Sequence, residues 1–229
     1  MSDHVRMLHA SDVHIENGPG GDKGLVQLVD AALELDVDVV VLVGDTFDDN
    51  RVHDTTVAVF VSHLERLRVP VVVLPGNHDP YMPGGVYHRT ELPGHVHLIT
   101  APDGATVELP HLGLELWGRP HLSFADQSPL VDLPPRGAQP WQVALAHGHL
   151  VRYDEDRHRS YLITSEQIAA TDRDYVALGH WDVQHDVSAG DVVAWYSGSP
   201  KRYASCALVT FRSSGEARSV HVEPIKLPG

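Results

Sequence analysis

Val71-Val-Val-Leu-Pro-Gly-Asn-His-Asp-Pro80 decides how the rest of the chain is read. Its four leading apolar residues predict a buried strand. Pro75-Gly76 ends that strand abruptly, which puts Asn77, His78 and Asp79 in a tight turn at its carboxyl end. Turns at that end of an open α/β sheet are where chemistry is usually carried. Two earlier stretches have the same grammar, Met7-Leu-His-Ala-Ser-Asp-Val-His14 and Val37-Asp-Val-Val-Val-Leu-Val-Gly-Asp-Thr-Phe-Asp48. Three strand ends therefore present carboxylates, imidazoles and one amide. Oxygen and nitrogen donors without thiolates suit Mn, Fe or Zn rather than an iron–sulfur cluster.

Working outward, a polar glycine-rich loop from Glu16 to Gly24 precedes Leu25, Leu28, Val29, Ala32 and Leu33, which fall at amphipathic helical spacing. The nearly unbroken apolar run Val37 to Val43 predicts a strand covered on both faces. Asp54 is placed as the N-cap of a second helix with Val57, Phe60, Val61, Leu64 and Leu67 on one side, closed by Pro70. Successive strand–helix units predict right-handed crossovers and a partly parallel sheet. Past Pro80 the pattern changes to short strands, His95 to Thr100, Ala105 to Leu109 and Leu112 to Trp117, for which antiparallel hairpins are the simplest reading. Ser128 to Pro140 reads as an irregular surface loop. Strands follow at Trp141 to Ala146 and Tyr175 to Leu178, ending in His147-Gly-His149 and Gly179-His180-Trp181-Asp182. A short helix is expected from Ser165 to Ala170. Val192 to Tyr196, Ala207 to Phe211 and Ser219 to Val222 are expected to close the fold as antiparallel strands.

The 229 residues suffice for one substantial domain, 1–229, and no stretch has the composition of a linker. With 31 acidic and 17 basic residues the formal charge is −14, which repels a long phosphate backbone. A single cysteine, Cys206, excludes an internal disulfide. No leader precedes the first strand and no apolar run approaches membrane length, so a cytoplasmic protein is expected.

Asp12 and His14 lie two apart, so an extended segment would point both side chains at one ion. Asp45 has two oxygens with which to bridge two cations about 3.5 Å apart. Asn77 adds a neutral oxygen, and His147 and His180 each end an apolar strand.

In order, Asp12-x-His14, Gly44-Asp45-x-x-Asp48, Gly76-Asn77-His78-Asp79, His147-Gly148 and Gly179-His180 resemble the signature of calcineurin-like metallophosphoesterases. The wording of Ala10-Ser-Asp-Val-His14 and Asp174-Tyr-Val-Ala-Leu-Gly-His180 is most similar to the DNA-repair exonuclease branch. The resemblance implies an α/β fold, a four-layer α/β-β/α sandwich of two mixed β-sheets flanked by helices. It also implies two divalent transition-metal ions per chain, with manganese favoured over iron or zinc. By position, Asp12, His14 and Asp45 would hold the first ion, and Asp45, Asn77, His147 and His180 the second. His78 would donate a proton to the leaving oxygen, steered by the Asp48 carboxylate. The family usually reads Gly-His-x-His where this chain has Asp182. An aspartate can coordinate as well, so Asp182 is expected to complete the first site, with His185 as the substitute. His149, Arg51 and Arg119 are candidates for touching substrate phosphate, and Ser197-Gly-Ser-Pro200 reads as a structural turn.

The activity so implied is hydrolysis of phosphodiesters, extending to monoesters, by a metal-bridged hydroxide. Two alternatives stand beside it: a nuclease subunit acting with a partner, and a non-catalytic scaffold of the same fold. The presence of His78 and Asp45 weighs against the scaffold. A small diester is favoured over duplex DNA, because of the −14 charge and because the chain ends too soon after His180 for the exonucleases' capping region. No membrane partner is expected, and the sequence leaves the oligomeric state open.

Overall fold

The computed structural model describes residues 4–215 and 217–228. In chain order, β1 (His4–Ala10), α1 (Lys23–Glu34), β2 (Val39–Val43), α2 (Asp54–Leu64), β3 (Val71–Leu74) and β4 (Val96–Leu98) form the first half. Next come β5 (Ala105–Leu109), β6 (Leu114–Gly118), β7 (Trp141–His147), β8 (His149–Leu150), β9 (Leu162–Ile163), α3 (Ser165–Ala169) and β10 (Tyr175–Gly179). The chain closes through β11 (His185–Asp186), β12 (Val193–Tyr196), α4 (Pro200–Tyr203), β13 (Ser205–Ser214) and β14 (Ala217–Lys226). Two mixed six-stranded sheets result, ordered β14-β13-β1-β2-β3-β4 and β11-β12-β10-β7-β6-β5, with β8 and β9 as a separate parallel pair.

Burial on both faces explains the sequence of the central strands. Every residue of β2 and β3 is buried. Alternate residues split between two cores: Val40, Leu42, Val71 and Val73 pack under α1 and α2, whereas Val39, Val41, Val43, Val72 and Leu74 face the second sheet. The second sheet answers with Leu116, Val143, Leu145, Tyr175 and Ala177. Its other face is covered by α3, through Ile168, and by the 128–133 segment, through Leu130 and Leu133. Residues 128–140 contain no helix or named strand, as their proline and glycine content predicts. The layers are therefore those of the expected sandwich, but the outer layer on the second sheet is thin.

Several local expectations change. Leu33 is exposed, because at 3.6 residues per turn it falls at the edge of the stripe made by Leu25, Leu28, Val29 and Ala32. Asp54 is the first residue of α2 rather than its cap; His53 holds the cap position without a side-chain hydrogen bond. The Asp54 carboxylate pairs with Arg89 in the helix's first turn, where negative charge is favoured. Val96–Leu98 does not enter a hairpin but adds to β3 in parallel, while Ala105–Leu109 and Leu114–Gly118 do pair antiparallel. Likewise β12 runs parallel to β10, and only β11, β13 and β14 supply antiparallel closure.

The parallel pairings bring the carboxyl ends of β1, β2, β3, β7 and β10 to one edge of the sandwich. There the sheets approach closely. A side chain on Gly179 would collide with the Val43 carbonyl oxygen and with the His147 ring. Gly179→Ala is expected to destabilise the protein by about 1–3 kcal/mol, the usual cost of overpacking a closed site. Urea denaturation checks this, and an unchanged midpoint would contradict the contact.

Candidate metal centre

Each strand end bends sharply as it delivers its side chain. Asp12, His14, Asp45 and His180 all have left-handed backbone, with φ of 53°, 47°, 53° and 101°. Such conformations cost about 1–3 kcal/mol each and persist only when the surroundings enforce them. Enforcement is visible in the hydrogen bonds. Asp12 N–H donates to the Gly44 carbonyl and His14 N–H to the Asp45 carbonyl, both at 3.0 Å, and Gly44 N–H donates to Leu74 at 2.9 Å. Thus Asp12 and His14 converge, but through two left-handed turns beyond β1 rather than through an extended strand.

Asp45 lies at the middle of the cluster. Its Oδ1 accepts the His78 N–H at 2.9 Å, and its Oδ2 lies 3.1 Å from His147 Nε2 and 4.0 Å from His78 Nε2. Asn77 Oδ1 faces His147 Nε2 and His180 Nδ1, each at 3.1 Å. His147 Nδ1 donates to the Val43 carbonyl at 2.8 Å, which fixes the tautomer and leaves Nε2 pointing inward. Asp12 Oδ2 accepts the His180 N–H at 2.9 Å, and Asp12 Oδ1 lies 3.9 Å from His14 Nε2. Among the described residues two ligand groups emerge, Asp12-His14-Asp45 and Asp45-His147-His180, and Asp45 belongs to both. A third group, His14-Asp48-His78, adjoins them.

The donor chemistry fits divalent cations. Carboxylate oxygens, an amide oxygen and imidazole nitrogens converge with no lysine or arginine among them. Electrostatics agree. Burial penalises both charged forms of the Asp45–His147 pair, yet each partner stabilises the other. The Asp45 carboxyl falls below its usual range, and His147 rises from 6.5 to about 9. Burial, aided by the His147 charge, pushes His180 down to about 3, and burial raises Asp12 to about 6.

His78 is 47% exposed, and its ring meets His14 edge-on at 4.9 Å. The steering contact differs from expectation: His78 Nδ1 donates to the main-chain carbonyl of Asp48 at 3.0 Å. The Asp48 carboxylate instead lies 3.2 Å from His14 Nδ1, without hydrogen-bond alignment. Asp182 falls outside the three ligand groups and pairs with Arg202 at 3.4 Å. His185 sits in β11 beside Trp181, 6.0 Å between ring centres. His149 accepts the Trp181 indole N–H at Nδ1, 3.0 Å, and its Nε2 faces Asp156 at 3.5 Å. Arg119 is engaged with the Pro102 carbonyl and with Asp132. Arg51 is exposed on the turn after Asp48.

A profile of the calcineurin-like phosphoesterases matches residues 5–184. The chain belongs to that family. Membership makes it a metal-dependent phosphoesterase, a hydrolytic enzyme. No curated relative matches the chain. Among solved structures, TT1561 of Thermus thermophilus shares the fold with a TM-score of 0.58 at 13% identity, over 96% of this chain and 98% of that one. An archaeal phosphodiesterase matches over 96% of this chain and 100% of that one, at 13% identity and TM-score 0.46. The phosphoesterase Yfce from E. coli matches over 98% and 100%, at 15% identity and TM-score 0.46.

Several residues that support this phosphoesterase centre escaped the sequence reading. Asp79 is fully buried and accepts hydrogen bonds from Gly76 N–H, Phe47 N–H and the Tyr87 hydroxyl at 2.8, 2.9 and 2.7 Å, tying the β2 turn to the β3 turn. Buried His121 donates Nε2–H to the His147 carbonyl at 2.9 Å. Ser199 holds the Asp12 carbonyl with its hydroxyl at 2.7 Å and the Asp182 carbonyl with its N–H at 2.8 Å. Only the last had a signal, the Ser197-Gly-Ser-Pro200 turn. The pH dependence follows from His147. Because its folded value lies above 6.5, its stabilisation is complete below pH 6.5 and is lost as pH rises through about 9. The urea midpoint of metal-free protein is therefore expected to fall between pH 6.5 and 9. His147→Asn should abolish that fall.

Proposed function

We propose that the chain is a binuclear phosphodiesterase whose substrates are small diesters rather than duplex DNA. The observation that carries this reading is Asp45, fully buried, left-handed and common to two ligand groups that each contain further nitrogen or oxygen donors. Asp12, His14 and Asp45 would hold one cation, and Asp45, Asn77, His147 and His180 the other, with Asp182 as the remaining candidate for the first. Two such cations supply Lewis acidity and a water acidic enough to attack phosphorus near neutral pH. Manganese is the favoured metal, because the donors are hard oxygens and imidazoles without sulfur.

The protein's own part is orientation and proton transfer. With Nδ1 committed to the Asp48 carbonyl, His78 keeps Nε2 on the open side of the centre, where it donates a proton to the departing oxygen. The substrate preference is supported by the formal charge of −14, which opposes a long polyanion far more than a single diester. The likeness of its motifs to the exonuclease branch is consistent with diester chemistry at the same atoms.

Chelator treatment is expected to abolish cleavage of an aryl phosphodiester, and Mn to restore it, with two ions per chain by elemental analysis. Activity in metal-free protein, or saturation at one ion, would overturn the binuclear reading. His78→Ala should retain both ions while kcat on an alkyl diester falls by about 10²–10⁴. A good aryloxide leaving group should suffer less, and equal losses would remove His78 from the proton-transfer role. Faster digestion of duplex DNA than of the aryl diester at physiological salt would reverse the substrate preference.

A further inference from the structure

Next to the metal centre lies an arginine with no anionic partner. Arg152 is exposed, and its guanidinium sits over the Trp181 ring, 4.8 Å from the ring centre. Among the described residues that guanidinium has no hydrogen bond and no ion pair. Trp181 directly follows the ligand candidate His180. Its ring is held on two sides: it stacks on Tyr196 at 4.4 Å with planes 11° apart, and its indole N–H donates to His149 Nδ1. The Arg152 backbone is anchored too, since its N–H and that of Tyr153 donate to Asp156 Oδ2 at 2.8 and 3.0 Å. Of the carboxylates nearest in sequence, Asp154 and Asp156 are committed elsewhere, and Glu155 makes no ion pair with Arg152. Asp156 is taken by those two N–H groups and by His149, and Asp154 faces Arg157 at 3.5 Å.

An arginine in a chain of charge −14 ordinarily finds a carboxylate, and here the fold instead holds one planar fork on an aromatic face at the rim of the site. Tyr196 stacks on the Trp181 ring and the Arg152 guanidinium lies over it, so both neighbours compete with a base or an aryl group for that ring. Recognition at this position is therefore by charge. The scissile phosphate would be held at the candidate metal centre, and Arg152, whose guanidinium lies over Trp181, would address a different part of the substrate.

We propose that Arg152 is a specificity-determining residue that binds a second anionic group, a phosphate or carboxylate, on a phosphodiester substrate. The proposal rests on the phosphodiesterase reading of the metal centre and narrows it to substrates with at least two negative charges. It adds to the sequence-derived candidates His149, Arg51 and Arg119, of which His149 and Arg119 are already engaged within the protein.

The test uses a matched pair: the nitrophenyl ester of thymidine monophosphate, which carries one charge, and the same ester with a further phosphate on its free sugar hydroxyl. Release of nitrophenolate is followed with Mn-loaded protein. Wild type is expected to have the lower KM for the ester with the added phosphate, which brings about two further negative charges. In Arg152→Ala that KM should rise about tenfold or more, the worth of a charge-assisted hydrogen bond, with kcat little moved. KM for the singly charged ester should rise much less, and Arg152→Lys should recover part of the loss. Equal shifts for the two esters, or none for either, would overturn the proposal while leaving the phosphodiesterase reading intact. If metal-loaded wild type cleaves neither ester, that reading itself fails, and this proposal with it.

Discussion

The buried charge of Asp45 is the constraint on which the rest of the site depends. Removing a carboxylate from water costs several kcal/mol even after relaxation, so it must be met by positive charge and donors at close range. Here the answer comes from two directions in the protein, the His78 N–H and the His147 ring, and a bound cation would add a third. Close approach from those directions explains the glycines around it. A Cβ on Gly44 would strike the His147 ring, and one on Gly76 would strike Asp45 itself. At Gly44 the φ of 82° adds a second reason for glycine.

The candidate ligands divide between the two sheets, so the spacing of the centre is set by the core between them. Asp12, His14, Asp45 and Asn77 come from the ends of β1, β2 and β3; His147 and His180 come from β7 and β10. Val39, Val41, Val43 and Leu74 on one side, with Val143, Leu145 and Ala177 on the other, fix the separation over which Asn77 and Asp45 meet those histidines. Cores packed to crystalline density resist such adjustment. A cavity in this layer would therefore reach the metal centre without touching a ligand. The left-handed turns add rigidity, since each is stable only in the presence of its neighbours.

Much of this was legible because parallel strands buried on both faces write themselves as unbroken runs of Val and Leu, and because the chemistry sits where those runs stop. Val39–Val43, Val71–Leu74 and Trp141–His147 were readable for that reason, and so was the order of the ligand candidates. Pairing direction was not. Val96–Leu98 and Val193–Tyr196 are too short for their sequence to tell parallel from antiparallel, and the choice falls to the sheet edge that receives them. Atom-level contacts were illegible in the same way. Sequence could place Asp48 beside His78 but could not say that the main-chain carbonyl, rather than the carboxylate, would accept the Nδ1 proton. Asp79 looked like the tail of a motif, and its function as a buried tie between Phe47, Gly76 and Tyr87 depends on partners far away in the chain.

The position of Asp182 shows how a change of residue type can be balanced nearby. As a ligand in place of the family's usual histidine, Asp182 would lower the formal charge of the centre by one, which in isolation would weaken a bound cation as a Lewis acid. In the fold, Asp182 also faces Arg202, which follows the Ser199 turn whose hydroxyl holds the Asp12 carbonyl. The guanidinium pairs with that carboxylate at the surface, and the turn beside it is tied to the Asp12 backbone. Lys201, on the same turn, donates to the His14 carbonyl at 3.1 Å and pairs with Glu16. Residues 199–202 thus connect the Asp12–His14 segment to Asp182 through three main-chain carbonyls, those of Asp12, His14 and Asp182, and one ion pair. The aspartate and the arginine are better understood as one ion pair, anchored by the same turn that holds the Asp12 carbonyl, than as a lost histidine.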